Sequence, residues 1–155
     1  MKGTIARGFG LLLILGGATA YAAEPLVGTW LMTGQKSSAG KMATIPLTLT
    51  VTESGGNLQF AYSMQGGKLI TMAFAAHLDG TEVDVKDGTG QKIGSVIVRT
   101  VGAGSYDLTL KSPGKASSPG KLAVSKDGKT LTAESTLQMP KDTKLTTITQ
   151  EFTRQ

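Results

Sequence analysis

The sequence of 155 residues contains no cysteine. Without cysteine the chain forms no disulfide, no thiolate zinc site and no iron–sulfur cluster, so its folded part must be stabilised by a hydrophobic core alone. Histidine is nearly absent too, since His77 is the only one. No nucleophile-elbow motif accompanies it, and its place at the end of a predicted strand indicates an exposed side chain. We therefore expect no catalytic residue, no metal site and no cofactor.

Clustered charge is also missing. The chain has 16 Lys and Arg residues against 11 Asp and Glu residues, but they are scattered over predicted strands and turns. Nucleic-acid binding would need a clustered basic stripe, so we expect no nucleic-acid partner. Glu82 and Asp84 share one strand face with Lys86, which favours a solvated surface over acid–base catalysis. The segment 84–88 does not match the spacing of a calcium-binding loop.

Long apolar runs are confined to the N-terminus. Two basic residues precede the apolar run 8–17, and Ala20-Tyr21-Ala22 follows as a small-x-small cleavage site. This arrangement predicts a cleaved signal peptide at residues 1–22 and a single mature domain at residues 23–155. A membrane anchor, the alternative, needs roughly 20 apolar residues, and this run is shorter and interrupted by glycine. We expect an exported protein, periplasmic or extracellular, without a membrane span after cleavage.

From Trp30 onward, apolar and polar residues alternate, and Gly, Asp and Asn punctuate the alternation. A period of two predicts β-strands, and no stretch shows the period of a helix. The predicted strands are 26–33, 47–52, 58–64, 69–78, 81–86, 92–101, 105–111, 121–125, 130–138 and 145–154. Of the two longest connections, 34–46 is interpreted as a loop, or as part loop and part edge strand, and 112–120 as an exposed loop.

The predicted turns set the register of each hairpin, and the apolar residues test it because opposed residues share a face. The turn chemistry is a four-residue turn at 54–57, a three-residue loop at 66–68 and two-residue turns at Asp79-Gly80 and Asp127-Gly128. A three-residue loop at 102–104 completes the set. The predicted pairs are Val51–Phe60, Leu49–Tyr62, Leu47–Met64, Met64–Ile70, Tyr62–Met72, Phe60–Phe74, Ala76–Val83, Phe74–Val85, Val98–Leu108, Val96–Leu110, Val124–Leu131, Leu122–Ala133, Leu137–Ile148 and Ala133–Phe152.

Hairpins joined in succession make a meander with one apolar face. Closure of the meander buries that face and removes the exposed edges, so we predict an all-β fold, an up-and-down antiparallel β-barrel of about eight to ten strands. A β-sandwich is the main rival, but it needs long crossing connections. An outer-membrane barrel would carry its apolar residues outside, whereas here the face opposite the aromatic residues is Thr, Lys, Glu and Asp.

Several short motifs carry a family resemblance. They are the Gly28-Thr29-Trp30 strand, Lys36-Ser37, the hairpin Ser-Lys-Asp-Gly-Lys-Thr-Leu-Thr at 125–132 and the terminal Arg154-Gln155. In these motifs the chain resembles the calycin group of lipocalins and fatty-acid-binding proteins, and more nearly the small bacterial lipocalin-like exported proteins. The resemblance implies a calycin-like barrel that is closed by a basic last-strand residue across the first-strand Trp. The matching positions are Trp30 and Arg154, with a structural role.

Two features depart from the fatty-acid-binding proteins. Their helical lid has no counterpart, because the segment 34–46 is too short and too rich in glycine. The arginine and tyrosine group that holds a fatty-acid carboxylate in that family has no matching motif here. The resemblance therefore does not supply a specific lipid.

Aromatic residues make up only 5% of the chain, and most fall on the predicted inner face. The candidate ligand-binding set is Phe60, Tyr62, Met64, Met72, Phe74 and Tyr106. Inward aromatic and methionine side chains suit a small hydrophobic ligand, but they can equally fill the barrel as core. Two functions stay open: an exported binding protein for a small apolar ligand, and a non-carrier envelope or inhibitor barrel that acts through its loops on a protein partner. A cavity of ~300 Å³ or more favours the first, and the sequence leaves the ligand and the oligomeric state open.

Overall fold

The computed structural model describes residues 23–64, 68–138 and 144–155, which contain strands and no helix. The strands are β1 (Gly28–Ser37), β2 (Gly40–Lys41), β3 (Thr48–Ser54), β4 (Asn57–Met64), β5 (Leu69–Ala76), β6 (Asp79–Lys86), β7 (Lys92–Gly102), β8 (Ser105–Lys111), β9 (Ser118–Val124), β10 (Thr130–Gln138) and β11 (Leu145–Arg154). Within these ranges no helix is long and apolar enough to cross a membrane.

Consecutive strands pair in antiparallel hairpins, and β11 pairs with β1, so the sheet closes on itself. Ten strands, β1 and β3 to β11, form the barrel, and the two-residue β2 folds back on the end of β1. The predicted fold class, an all-β up-and-down antiparallel barrel, is confirmed. The segment 34–46 follows the second interpretation, part strand and part loop, because β1 continues through Ser37.

Most of the predicted hairpin registers are confirmed. The 54–57 turn has Gly55 and Gly56 at its centre, both with positive φ, as a tight hairpin turn requires. The β5–β6 ladder is reduced to one pair, Ala73–Lys86, which lies in the predicted register. The ladder between β3 and β4 ends at Thr48–Ser63, one step before Leu47–Met64. The confirmed pairs are Val51–Phe60, Leu49–Tyr62, Phe60–Phe74, Tyr62–Met72, Val98–Leu108, Val96–Leu110, Val124–Leu131 and Leu122–Ala133.

A β-bulge makes the predicted Met64–Ile70 pair wrong. The ladder shifts after Tyr62, so Met64 lies opposite Leu69 and Thr71 has no ladder partner. The Thr71 hydroxyl donates a hydrogen bond to the Tyr62 carbonyl at 3.2 Å, which stabilises the extra residue. Of the predicted 66–68 loop, residues 66 and 67 lie outside the described residues.

The last hairpin also differs from its predicted register. Phe152 lies opposite Leu131, and Ala133 lies opposite Gln150, so the predicted pairs Ala133–Phe152 and Leu137–Ile148 are wrong by two residues. A shift of two keeps every side chain on its face. Phe152 therefore still points inward and is buried.

Strand β9 begins earlier than the breaker pattern predicts. Ser118, Pro119 and Gly120 already pair with β8, so the predicted 112–120 loop ends at residue 117. A proline near the start of a strand is tolerated. Gly120 lies where the backbones come close, because a Cβ there would be 2.7 Å from the carbonyl oxygen of Glu134.

Candidate functional site

One end of the barrel is closed by Arg154 and Trp30, which are partners in the β1–β11 ladder. The guanidinium carbon lies 4.1 Å from the centroid of the Trp30 ring. Trp30 is completely buried, and its indole N–H donates to the Leu26 carbonyl at 2.9 Å. The structure thus brings together the two residues to which the sequence assigned barrel closure.

The Arg154 guanidinium also binds three backbone carbonyls. It donates to Pro25 at 2.7 Å, to Val27 at 2.6 Å and to Gly128 at 2.6 Å. These carbonyls belong to the segment before β1 and to the turn between β9 and β10. One side chain at the end of β11 therefore joins the segment before β1 to the turn between β9 and β10.

The structure explains why the Gly28-Thr29-Trp30 motif begins with glycine. A Cβ at Gly28 would lie 2.4 Å from Nη1 of Arg154, and the residue has φ +150°. A side chain at this position would displace the guanidinium and strain the backbone. The motif therefore combines the tryptophan that Arg154 covers with the space that Arg154 needs.

Tyr106 also lies at the closed end. Its hydroxyl donates to a carboxylate oxygen of Glu24, and its ring is buried. Burial raises the pKa of Tyr106, and the hydrogen bond and charge of Glu24 raise it further. Because Glu24 precedes the first strand, no alternation pattern could have predicted this contact. Tyr106 does not line the cavity in the rest of the barrel.

The barrel contains a cavity of about 370 Å³, lined by residues of the described chain. Its uncharged polar lining comes from Tyr62, Thr71, Ser118, Ser135 and Gln150, and the charged residues Lys121 and Glu134 also contribute. Nine apolar side chains make up most of the rest: Leu47, Met72, Phe74, Val96, Leu108, Leu110, Leu122, Ala133 and Leu137.

The sequence-derived ligand set divides between cavity and core. Tyr62, Met72 and Phe74 line the cavity. Phe60 is buried in the core and stacks on Phe74, with ring centroids 4.7 Å apart and planes 13° from parallel. Met64 is half-buried and packs against the core. A ligand contact by any of them stays a prediction.

Sequence reasoning missed the opposite wall of the cavity. That wall comes from β8, β9 and β10, through residues such as Leu108, Leu122 and Ala133. The predicted registers had already placed these side chains on the inner face. They are small or aliphatic side chains, and such side chains leave the space that a cavity needs.

The outer carboxylates make surface ion pairs. Glu82 accepts hydrogen bonds from Ser95 at 2.5 Å and from Lys111 at 2.7 Å. Both bonds lower the pKa of Glu82, and the bond from Lys111 has the larger effect. Asp84 pairs with Lys92 at 2.6 Å. His77 is exposed at the end of β5. Within the part of the chain that the structure describes, no group of carboxylate and histidine side chains could hold a metal ion.

Comparison with known proteins supports the fold. No family model matches the chain, and no curated protein matches it. Among solved structures, the zebrafish ileal bile acid-binding protein, complexed with cholic acid, is similar with a TM-score of 0.56 and 16% sequence identity. The similarity covers 84% of this chain and 99% of the zebrafish chain. At this identity the similarity concerns architecture, and the chain has a calycin-type fold.

Proposed function

We propose that this protein is an exported binding protein that carries a small, mainly apolar ligand inside its barrel. The observation that carries the proposal is the cavity of about 370 Å³ and its largely apolar lining. That volume lies within the range of ligand pockets, ~300–1,000 Å³, and near its lower end. A core packed to the usual density would leave no comparable space.

The zebrafish neighbour supports the same interpretation, because it has a similar architecture and is complexed with cholic acid. The lining also favours binding over catalysis. Leucine, methionine and phenylalanine side chains such as Leu108, Met72 and Phe74 stabilise a ligand by removing apolar surface from water, and they supply no acid–base chemistry.

A fluorescence titration tests the carrier function. The probe N-phenyl-1-naphthylamine is uncharged, and its emission rises when it leaves water for an apolar site. We expect the wild-type protein to bind it and Ala133→Phe to bind it at least tenfold more weakly, because the added ring occupies the cavity that Ala133 lines.

The matched control is Ala123→Phe, the same substitution at an exposed position of the neighbouring strand. It should bind the probe as the wild type does. Equal probe binding by the wild type and by Ala133→Phe would contradict a site in the barrel interior.

The alternative is a barrel that acts through its loops on a protein partner. A thermal-shift screen against lipids and pigments separates the two functions, because a ligand that binds only the folded state raises the melting temperature. If no compound raises it, the segments 34–46 and 112–117 become the regions to test for a partner.

Export rests on the N-terminal segment. The apolar run 8–17 and the Ala20-Tyr21-Ala22 site support cleavage before Ala23. We expect N-terminal sequencing of the full chain, expressed in secretion-competent bacteria, to begin at Ala23. Recovery of the uncleaved chain from the cytoplasm would contradict export.

A further inference from the structure

The cavity wall has no charged side chain directed inward among the described residues. Lys121 and Glu134 contribute to the lining, but both side chains are exposed and the two residues are ladder partners. Their sequence neighbours Leu122 and Ala133 face the interior instead. An anionic ligand would therefore be buried without a cation to compensate its lost hydration, which is strongly unfavourable.

Tyr62 supplies a polar group to the same wall. It lines the cavity from β4, and burial raises the pKa of its hydroxyl to about 12. The phenol stays protonated at physiological pH, so it offers a hydrogen bond and no charge. Its place in the lining makes it a candidate ligand contact.

Apart from the exposed Lys121 and Glu134, the other polar residues of the lining are uncharged as well. Ser118 and Ser135 present hydroxyl groups, and Gln150 presents an amide. The amide nitrogen of Gln150 donates to the side-chain oxygen of Gln35 at 3.2 Å, which leaves its own oxygen as an acceptor. Such groups bind alcohols, ketones, esters and amides, and none of them neutralises an ion.

We propose that the ligand is a compact, uncharged molecule with an apolar body and a hydrogen-bonding oxygen, and that the Tyr62 hydroxyl binds this oxygen. The inference rests on the proposed carrier function. It excludes ionised fatty acids and other carboxylates as the preferred ligands. It also makes Tyr62 the residue that favours ligands with a hydrogen-bonding oxygen over pure hydrocarbons.

Two probes with the same hydrocarbon chain test the selection of charge. Decanol and decanoate are each used to displace N-phenyl-1-naphthylamine from the purified protein at pH 8, where decanoate is ionised. We expect decanol to bind at least tenfold more tightly. When the pH is lowered to 5, the affinity for decanoate should rise as its carboxyl group protonates, while the affinity for decanol should stay constant.

Tyr62→Phe tests the hydrogen bond. It should weaken decanol binding about fivefold. Tyr106→Phe is the matched control, since this tyrosine bonds Glu24 at the closed end, and it should leave decanol binding unchanged. Circular dichroism of both variants verifies that the barrel is folded.

The outcomes distinguish this inference from the function on which it rests. If the probe binds and decanoate at pH 8 displaces it as well as decanol does, the inference is wrong and the carrier function stands. An unchanged decanol affinity in folded Tyr62→Phe overturns the role of Tyr62. If neither the probe nor either decyl compound binds, the carrier function fails and the inference fails with it.

Discussion

Substitution of Arg154 by methionine should weaken the barrel more than any other change to a single charged side chain at its closed end. The wild-type guanidinium donates to the carbonyls of Pro25, Val27 and Gly128 and covers the ring of Trp30. A hydrogen bond to a charged group contributes about 1.5–3 kcal/mol, and an arginine over an indole about 0.5–2 kcal/mol. Because Arg154 is only half-buried, water can replace part of each lost bond, and contributions that share one group do not add. We expect a loss of about 3 kcal/mol in the free energy of unfolding.

The assay is urea denaturation followed by tryptophan fluorescence, since Trp30 is the only tryptophan. Arg154→Lys should lose about 2 kcal/mol, because one ammonium group cannot reach three carbonyls as a planar fork does. The matched control is Arg99→Met on β7, where the side chain is exposed, with a loss of about 0.5 kcal/mol. A loss below about 1 kcal/mol for Arg154→Met, or one equal to that of Arg99→Met, would refute the reasoning.

Three further predictions concern a glycine, the tyrosines and an aspartate. Gly28→Ala should lower the free energy of unfolding by about 2 kcal/mol, and by less in the Arg154→Met background. A double-mutant cycle in urea measures both losses, and additive losses would contradict the contact between Gly28 and Arg154. In a chain that begins at Ala23, spectrophotometric titration should find no tyrosine that ionises near pH 10, because the pKa values of Tyr62 and Tyr106 are both raised. The stability that protonated Tyr62 contributes is present below pH 10 and is lost between pH 10 and about 12. The pKa of Asp127 lies below its ordinary value of 3.8 because Ser125 and the amide of Lys129 bond its carboxylate, so its contribution is present above pH 3.8 and lost as the pH falls through the lowered pKa. Asp127→Asn should show a weaker fall in the urea midpoint between pH 6 and pH 3, and an unchanged fall would contradict this assignment.

The alternation of apolar and polar residues predicts the barrel and most hairpin registers, because a wrong register by one residue exposes the whole apolar face. The Phe60–Phe74 and Val98–Leu108 pairs follow directly from this rule. The same rule fails for the last hairpin, since a shift of two residues preserves both faces. It cannot locate the bulge at Thr71 either, because a bulge depends on local hydrogen bonds and not on the hydrophobic pattern.

The cavity is only partly predictable for a different reason. The alternation identifies the inward side chains. Whether these side chains fill the barrel or leave a cavity depends on their total volume relative to the interior volume of the barrel. Gly120 and Ala133 leave space on one wall, while Phe60 and Phe74 stack and fill the other. Tyr106 does not line the cavity, and its hydroxyl bonds Glu24, a residue far away in the sequence. The closure by Trp30 could be proposed only through a family resemblance.

The most direct test of ligand binding inside the barrel is methyl NMR of the protein titrated with decanol. We expect chemical-shift changes at the methyl groups of Leu108, Leu110 and Leu122, which line the cavity. The methyl groups of Leu131, which is buried in the core, and of Val101, which is exposed at the end of β7, should not change. Changes confined to exposed methyl groups such as that of Val101, or no change at saturating decanol, would contradict a ligand site in the interior of the barrel.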